Sequence, residues 1–178
     1  MHHRIKSALD QKDEETFLSL MKNGYEIGAS SKNGANALTH CIMTYNLKMA
    51  EFVIQNTDID LNALYCKPNS THETLKRPQP GINVAIFIKK KAMVRLLLEE
   101  GASVEHPDTF SLAFKELKDI SVIENIISKS NLKQLEKYDK FVKQMPENDL
   151  KSKTEKIIQH YELSLSMEEK PKQKLMKL

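Results

Sequence analysis

The chain lacks most of what announces a chemistry. It has no apolar run of 18 residues to span a bilayer, and its polar start, MHHRIKSALDQKDEE, lacks the apolar core of a secretory signal. Neither sign of charge dominates: 27 basic residues stand against 24 acidic ones, and a net charge of +3 demands no polyanionic partner. Only two cysteines occur in 178 residues, Cys41 in an apolar segment and Cys66 in a polar one, too few for a disulfide framework. These absences predict a reducing, cytoplasmic setting with no membrane partner. No glycine-rich phosphate loop, GxSxG elbow, HExxH or paired CxxC motif is present, so no cofactor and no catalytic residue are predicted.

The residues that could carry chemistry have plainer readings. His40 and Cys41 suggest a base and a nucleophile, but neighbours in a helix point in different directions and do not form that hydrogen-bonded pair. They read as packed residues of a helix. Cys66 and His72 are two potential ligands on a Pro/Ser/Thr-rich segment, short of the set a zinc ion needs, and His2-His3 adds none. Lys89, Lys90, Lys91 and Arg95 form a short basic run without interleaved aromatics. That is the pattern of a solvated helix edge, not of a nucleic-acid groove.

What the sequence does have is repetition. FLSLMKNGYEIG (17 to 28), AEFVIQNTDIDLN (50 to 62) and VRLLLEEGASVE (94 to 105) share one shape: apolar side chains at helical spacing, then a stop, then a short alternating exit. The stops fall at Gly24, Thr57 and Gly101, 33 and 44 residues apart. The excess in the second interval lies mostly in LYCKPNSTHETLKRPQPG. A fainter copy, VIENIISKSNL (122 to 132), puts Ser130 at the stop, 29 residues on. A fixed period of this size predicts stacked helix pairs, none able to bury its apolar face alone. Val84, Ala85, Val94, Leu97 and Leu98 should face the shared core, and Gly24 and Gly101 should take left-handed conformations that close a helix.

The segments before these runs carry the family resemblance. NGANALTHCIMTYNLKMAEFVI (33 to 54) resembles the ankyrin repeat, with Asn36-Ala37-Leu38-Thr39-His40-Cys41-Ile42 in the place of the family's Thr-Pro-Leu-His segment and the histidine displaced by one. IKSALDQKDEETFLSLMKNG and PGINVAIFIKKKAMVRLLLEEGA fit the same frame, and FSLAFKELKDISVIENIISKS fits it with one inserted residue between its helices. The resemblance implies an all-α ankyrin-like solenoid with hairpin fingers. Its units cover about 1–30, 31–63, 79–106 and 107–130, with an inserted loop at 64–80. NLKQLEKYDKFVKQM, with Leu132, Leu135, Tyr138 and Val142 on one face, and DLKSKTEKIIQHYELSL then read as capping helices over 131–166. A charged tail, 167–178, broken by Pro171, reads as loose.

The resemblance also implies a function: a monomeric module that binds another protein through its turn tips and the exposed side of its first helices. Those positions are Asp10 and Gln11 in the first unit, Lys32, Asn33, Ala35, Met43 and Thr44 in the second, and Phe87 and Ile88 in the third. Phe87 and Ile88, with Met43 one repeat away, form the apolar centre of an interface, unless the 64–80 loop folds over Phe87 and Ile88 or a register shift of one places those two in the core. Within that loop Tyr65, Lys76 and Arg77 are the expected contacts, unless the insertion is a tolerated surface excursion. Lysine-rich divergent repeats ending in a tail with Glu168, Glu169 and Leu175 also resemble ankyrin effectors of intracellular bacteria. That likeness implies a host protein as partner and the host cytoplasm as the place of action. A non-catalytic recruiting or regulatory subunit of an enzyme complex is the alternative.

Overall fold

Apolar residues three and four apart dictate short amphipathic helices, and the computed structural model of the chain is mostly helical. It describes residues 2–25, 27, 35–67, 69–71 and 73–175. The chain divides into two compact units, Met1–Ser103 and Val104–Leu178.

The first unit contains three helix pairs: α1 (His3–Gln11) with α2 (Glu14–Lys22), α3 (Ala37–Thr44) with α4 (Leu47–Asn56), and α6 (Gly81–Phe87) with α7 (Lys91–Glu99). Each pair is joined by a turn of two or three residues, so its helices run antiparallel. Across pairs α1 packs on α3, α3 on α6, and α4 on α7. The core lies in these contacts, where Ile5, Leu9, Phe17, Ile42, Met49, Ile86, Met93 and Leu97 are buried. Val84, Ala85, Val94 and Leu98 are buried too, as their spacing predicts. Gly81 opens α6 against α3, where an added Cβ would sit 2.8 Å from Ile42 Cδ1.

The turns repeat more strictly than the sequence. Lys12, Tyr45, Lys89 and Lys118 are the four non-glycine residues of positive φ among those described. Each ends the first helix of a pair, at separations of 33, 44 and 29, the same intervals that separate Gly24, Thr57, Gly101 and Ser130. The next residue caps the following helix in three of the four: Asp13 Oδ1 accepts from Thr16 N, Asn46 Oδ1 from Met49 N, and Asp119 Oδ1 from Ser121 N and Val122 N. At the second-helix ends Gly24 and Gly101 take φ of +78° and +90°, the expected left-handed closures. Thr57 is extended instead, and its hydroxyl donates to Val53 O at 2.6 Å; Ser130 Oγ donates to Ile126 O at 2.7 Å. A hydroxyl thus satisfies a terminal carbonyl where the glycine is missing.

Two features of the first unit differ from expectation. The arms after α4 and α7 form no paired strands among the described residues; they are tied by Ser103 N donating to Asn62 Oδ1 at 2.8 Å. The 64–80 insertion is not an open loop. Strands β1 (Leu64–Tyr65) and β2 (Gln79–Pro80) pair antiparallel at its base, and α5 (Glu73–Lys76) lies between them with Leu75 buried.

In the second unit α8 (Thr109–Leu112) runs on into a π-helical turn (Ala113–Leu117), followed by α9 (Ile120–Ser128), α10 (Leu132–Lys143) and α11 (Asp149–Leu175). From the residue before the helix to the left-handed one, Asp108 to Lys118 is one residue longer than Asn36 to Tyr45 or Pro80 to Lys89. The inserted residue expected between the two helices therefore falls inside the first of them, absorbed as a wider turn. Beside buried aliphatic residues such as Ile123, Ile127 and Leu135, the unit holds an aromatic cluster: Phe110 stacks on Tyr138 with ring centroids 4.0 Å apart, and Phe141 meets Phe110 and Phe114 edge-on. α11 continues past 166, where sequence ended it, to Leu175. Residues 167–175 are mostly strong helix formers, and Pro171 removes one backbone donor without forbidding the helix on either side. No helix among the described residues is long and apolar enough to cross a membrane.

Candidate functional site

The left-handed turns set the register of the predicted binding positions. Asp10 and Gln11, Met43 and Thr44, and Phe87 and Ile88 stand two and one residues before Lys12, Tyr45 and Lys89, so they are equivalent positions on three packed first helices. Met43, Phe87 and Ile88 are half-buried and Thr44 is exposed. The apolar three therefore belong neither to the fully buried core nor to the fully wet surface. Thr44 Oγ1 donates back to His40 O at 2.9 Å. Asp10 is engaged across the stack, its Oδ1 lying 2.6 Å from His40 Nε2. A second tie runs beside it, where Asn46 Nδ2 donates to Leu9 O at 2.8 Å.

Sequence reasoning missed the residue between these positions. Tyr45 holds φ of +53°, a conformation costing an L-residue about 1–2 kcal/mol, and it is 43% exposed. Lys90 Nζ sits 4.4 Å from its ring centroid, over the face of the ring. An exposed aromatic at this turn is a conspicuous departure from the lysines at the other three. Sequence held a signal for it only once the turn register is known.

On the insertion, Tyr65 is a correction. It was expected outside as a contact, but it is buried, and burial with the nearby Cys66 raises its hydroxyl's pKa. Successive residues of a strand face opposite ways, so the pairing that turns Tyr65 inward turns Leu64 out, where it is 52% exposed. Lys76 and Arg77 are exposed as expected, with Lys76 paired to Glu73. Ala35 is half-buried, and Lys32 and Asn33 lie outside the described residues.

Cys41 is fully buried, and that burial, with a smaller contribution from Asp10, pushes its thiol up to about 12. A thiol held protonated suits packing and not nucleophilic attack. Cys66 is half-buried, and its proposed companion His72 lies outside the described residues. Among the described residues no three His, Cys, Asp or Glu side chains group as metal ligands would.

No protein-family model matches the chain, and no curated protein matches it.

Proposed function

We propose that the chain is an ankyrin-type solenoid that acts by binding another protein. Its contact face comprises the ends of the first helices, Met43, Thr44, Tyr45, Phe87 and Ile88, together with Leu64, Lys76 and Arg77 on the insertion. One observation carries this reading: the left-handed turn recurs at 12, 45, 89 and 118 with the intervals of the helix stops. A chain that holds a costly backbone conformation at the same place in every pair keeps its scaffold constant. The side chains beside that turn are what varies. The variable side chains include an exposed aromatic under a cation and three half-buried apolar groups, the mixture that anchors interfaces. In the effector form of this role, which the lysine-rich repeats fit, the partner is a host protein met in the host cytoplasm.

The test compares capture of partner by wild type, Tyr45→Ser, and Phe87→Ser with Ile88→Ser, each melted alongside. Central anchors cost about 2 kcal/mol or more when truncated, about thirtyfold in affinity, so both variants should lose the partner while still folding cooperatively. Lys32→Ala should do little. Normal capture by both folded variants sinks the face assignment.

A further inference from the structure

The C-terminal helices carry a second surface that the binding face above does not use. The last helix, α11, has 27 residues and is about 40 Å long, whereas its antiparallel neighbour α10, with 12, reaches only about 18 Å. Leu132, the first residue of α10, is level with this part of α11, because Leu132 and Glu136 line one open groove of about 520 Å3 with Gln159, Glu162, Leu163 and Ser166. Beyond that level α11 runs past the end of α10, and Ile158 is the last of its described side chains to be buried. Along this stretch Leu163 and Met167, one turn apart on the same face, are 66% and 70% exposed, the most exposed large apolar side chains among those described.

The charges around the groove are unbalanced. Asp139 is matched by Lys143 at 2.6 Å and Glu155 lies 4.0 Å from Lys151, but among the described residues Glu136 and Glu162 make no ion pair. Lys137 lines a different cavity, with His106 and Phe141, and the exposed Lys133 pairs with neither glutamate. Burial, then the charges of Asp139 and Glu136, raise the pKa of Glu162 against the opposing pull of Lys143. The groove thus combines apolar side chains with two carboxylates that make no ion pair, Glu162 feeling Lys143 only at longer range.

We propose that this groove binds a basic amphipathic helix of a partner protein, its apolar side chains laid on Leu132, Leu163 and Met167 and its lysines or arginines set against Glu136 and Glu162. The mode is a helix in a groove, with anchors one turn apart and cations forming the ion pairs that the two carboxylates do not make within the chain. It stands on residues separate from the turn face of the first unit, so either reading can fail without the other.

The experiment titrates the full chain into a fluorescently labelled helical peptide with leucines at i, i+3, i+4 and i+7 and lysines elsewhere, followed by anisotropy. Wild type should bind, and Leu163→Ser with Met167→Ser should weaken binding about thirtyfold or more while keeping the helical circular dichroism. Glu136→Gln with Glu162→Gln should weaken it several-fold and flatten its dependence on salt. Should the serine variant fail to fold, Glu136→Lys with Glu162→Lys decides, since it must repel the peptide. Equal binding by the folded serine variant or by the charge-reversed one overturns the proposal. So does equal binding of a peptide with glutamates for lysines, or sedimentation showing a wild-type dimer that Leu163→Ser turns into monomer, which would mean that a second copy covers the groove.

Discussion

Lys12 stands at φ of +59°, where a side chain clashes with its own backbone and glycine does not. Its side chain is exposed, so a substitution there tests the backbone alone. Lys12→Gly should raise stability by up to about 1 kcal/mol, the relief of the left-handed conformation less the greater entropy of glycine in the unfolded chain. Urea melts check it, and a loss of 1 kcal/mol would mean that the turn is not left-handed. Cys41 predicts a pH effect. Its ordinary value of 9 rises to about 12 in the fold, so below pH 9 both states keep the proton and the stabilisation is intact. Between about pH 9 and 12 the unfolded chain has lost that proton and the folded chain has not. Stability should therefore fall as pH rises, by about 1.4 kcal/mol per unit from this group. Cys41→Ala should show a shallower alkaline decline than wild type, and identical slopes would contradict the burial of the thiol.

At the scale of elements, the helix ends show what the sequence made legible and what it hid. Gly24 and Gly101 are visible because only glycine closes a helix in that way without strain. The first-helix turns are invisible because lysine and tyrosine occupy a conformation that neither type signals, and the neighbouring Asp13, Asn46 and Asp119 caps are the only local hint. The strands around the insertion are two residues each, too short for alternation to register, and so the inward turn of Tyr65 and the outward turn of Leu64 are not legible in the sequence. The aromatic cluster of Phe110, Phe114, Tyr138 and Phe141 joins helices distant in sequence, which periodicity within a helix cannot reveal. Two substitutions test the elements. Leu97→Ala, fully buried in α7, should cost about 2–5 kcal/mol through the cavity it leaves, and a loss under about 0.5 kcal/mol would place it outside the core. Ser130→Ala should cost about 1 kcal/mol by removing the buried hydroxyl's bonds to Ile126 O and Tyr138 Oη, which leaves Ile126 O with the longer bond from Lys129 N, whereas Ser130→Thr, which keeps the hydroxyl, should recover part of it.

For the molecule as a whole, the proposed binding face depends on the first helices of the first unit lying side by side in register. The ties between Asp10 and His40, Asn46 and Leu9, and Asn62 and Ser103 join successive pairs at both ends, and the positions proposed to meet a partner inherit their alignment from them. A close contact in that stack is Gly81 against Ile42, where a Cβ would come within 2.8 Å of the Ile42 methyl. Nuclear Overhauser spectra of the methyl-labelled chain read this contact directly. The stacked arrangement predicts a strong cross-peak between Ile42 Cδ1H3 and a Gly81 α-proton, together with one from the Asn46 side-chain amide to Leu9. Well-resolved spectra of the folded protein lacking both would show that the helix pairs do not stack as described, and the shared binding face would fall with them.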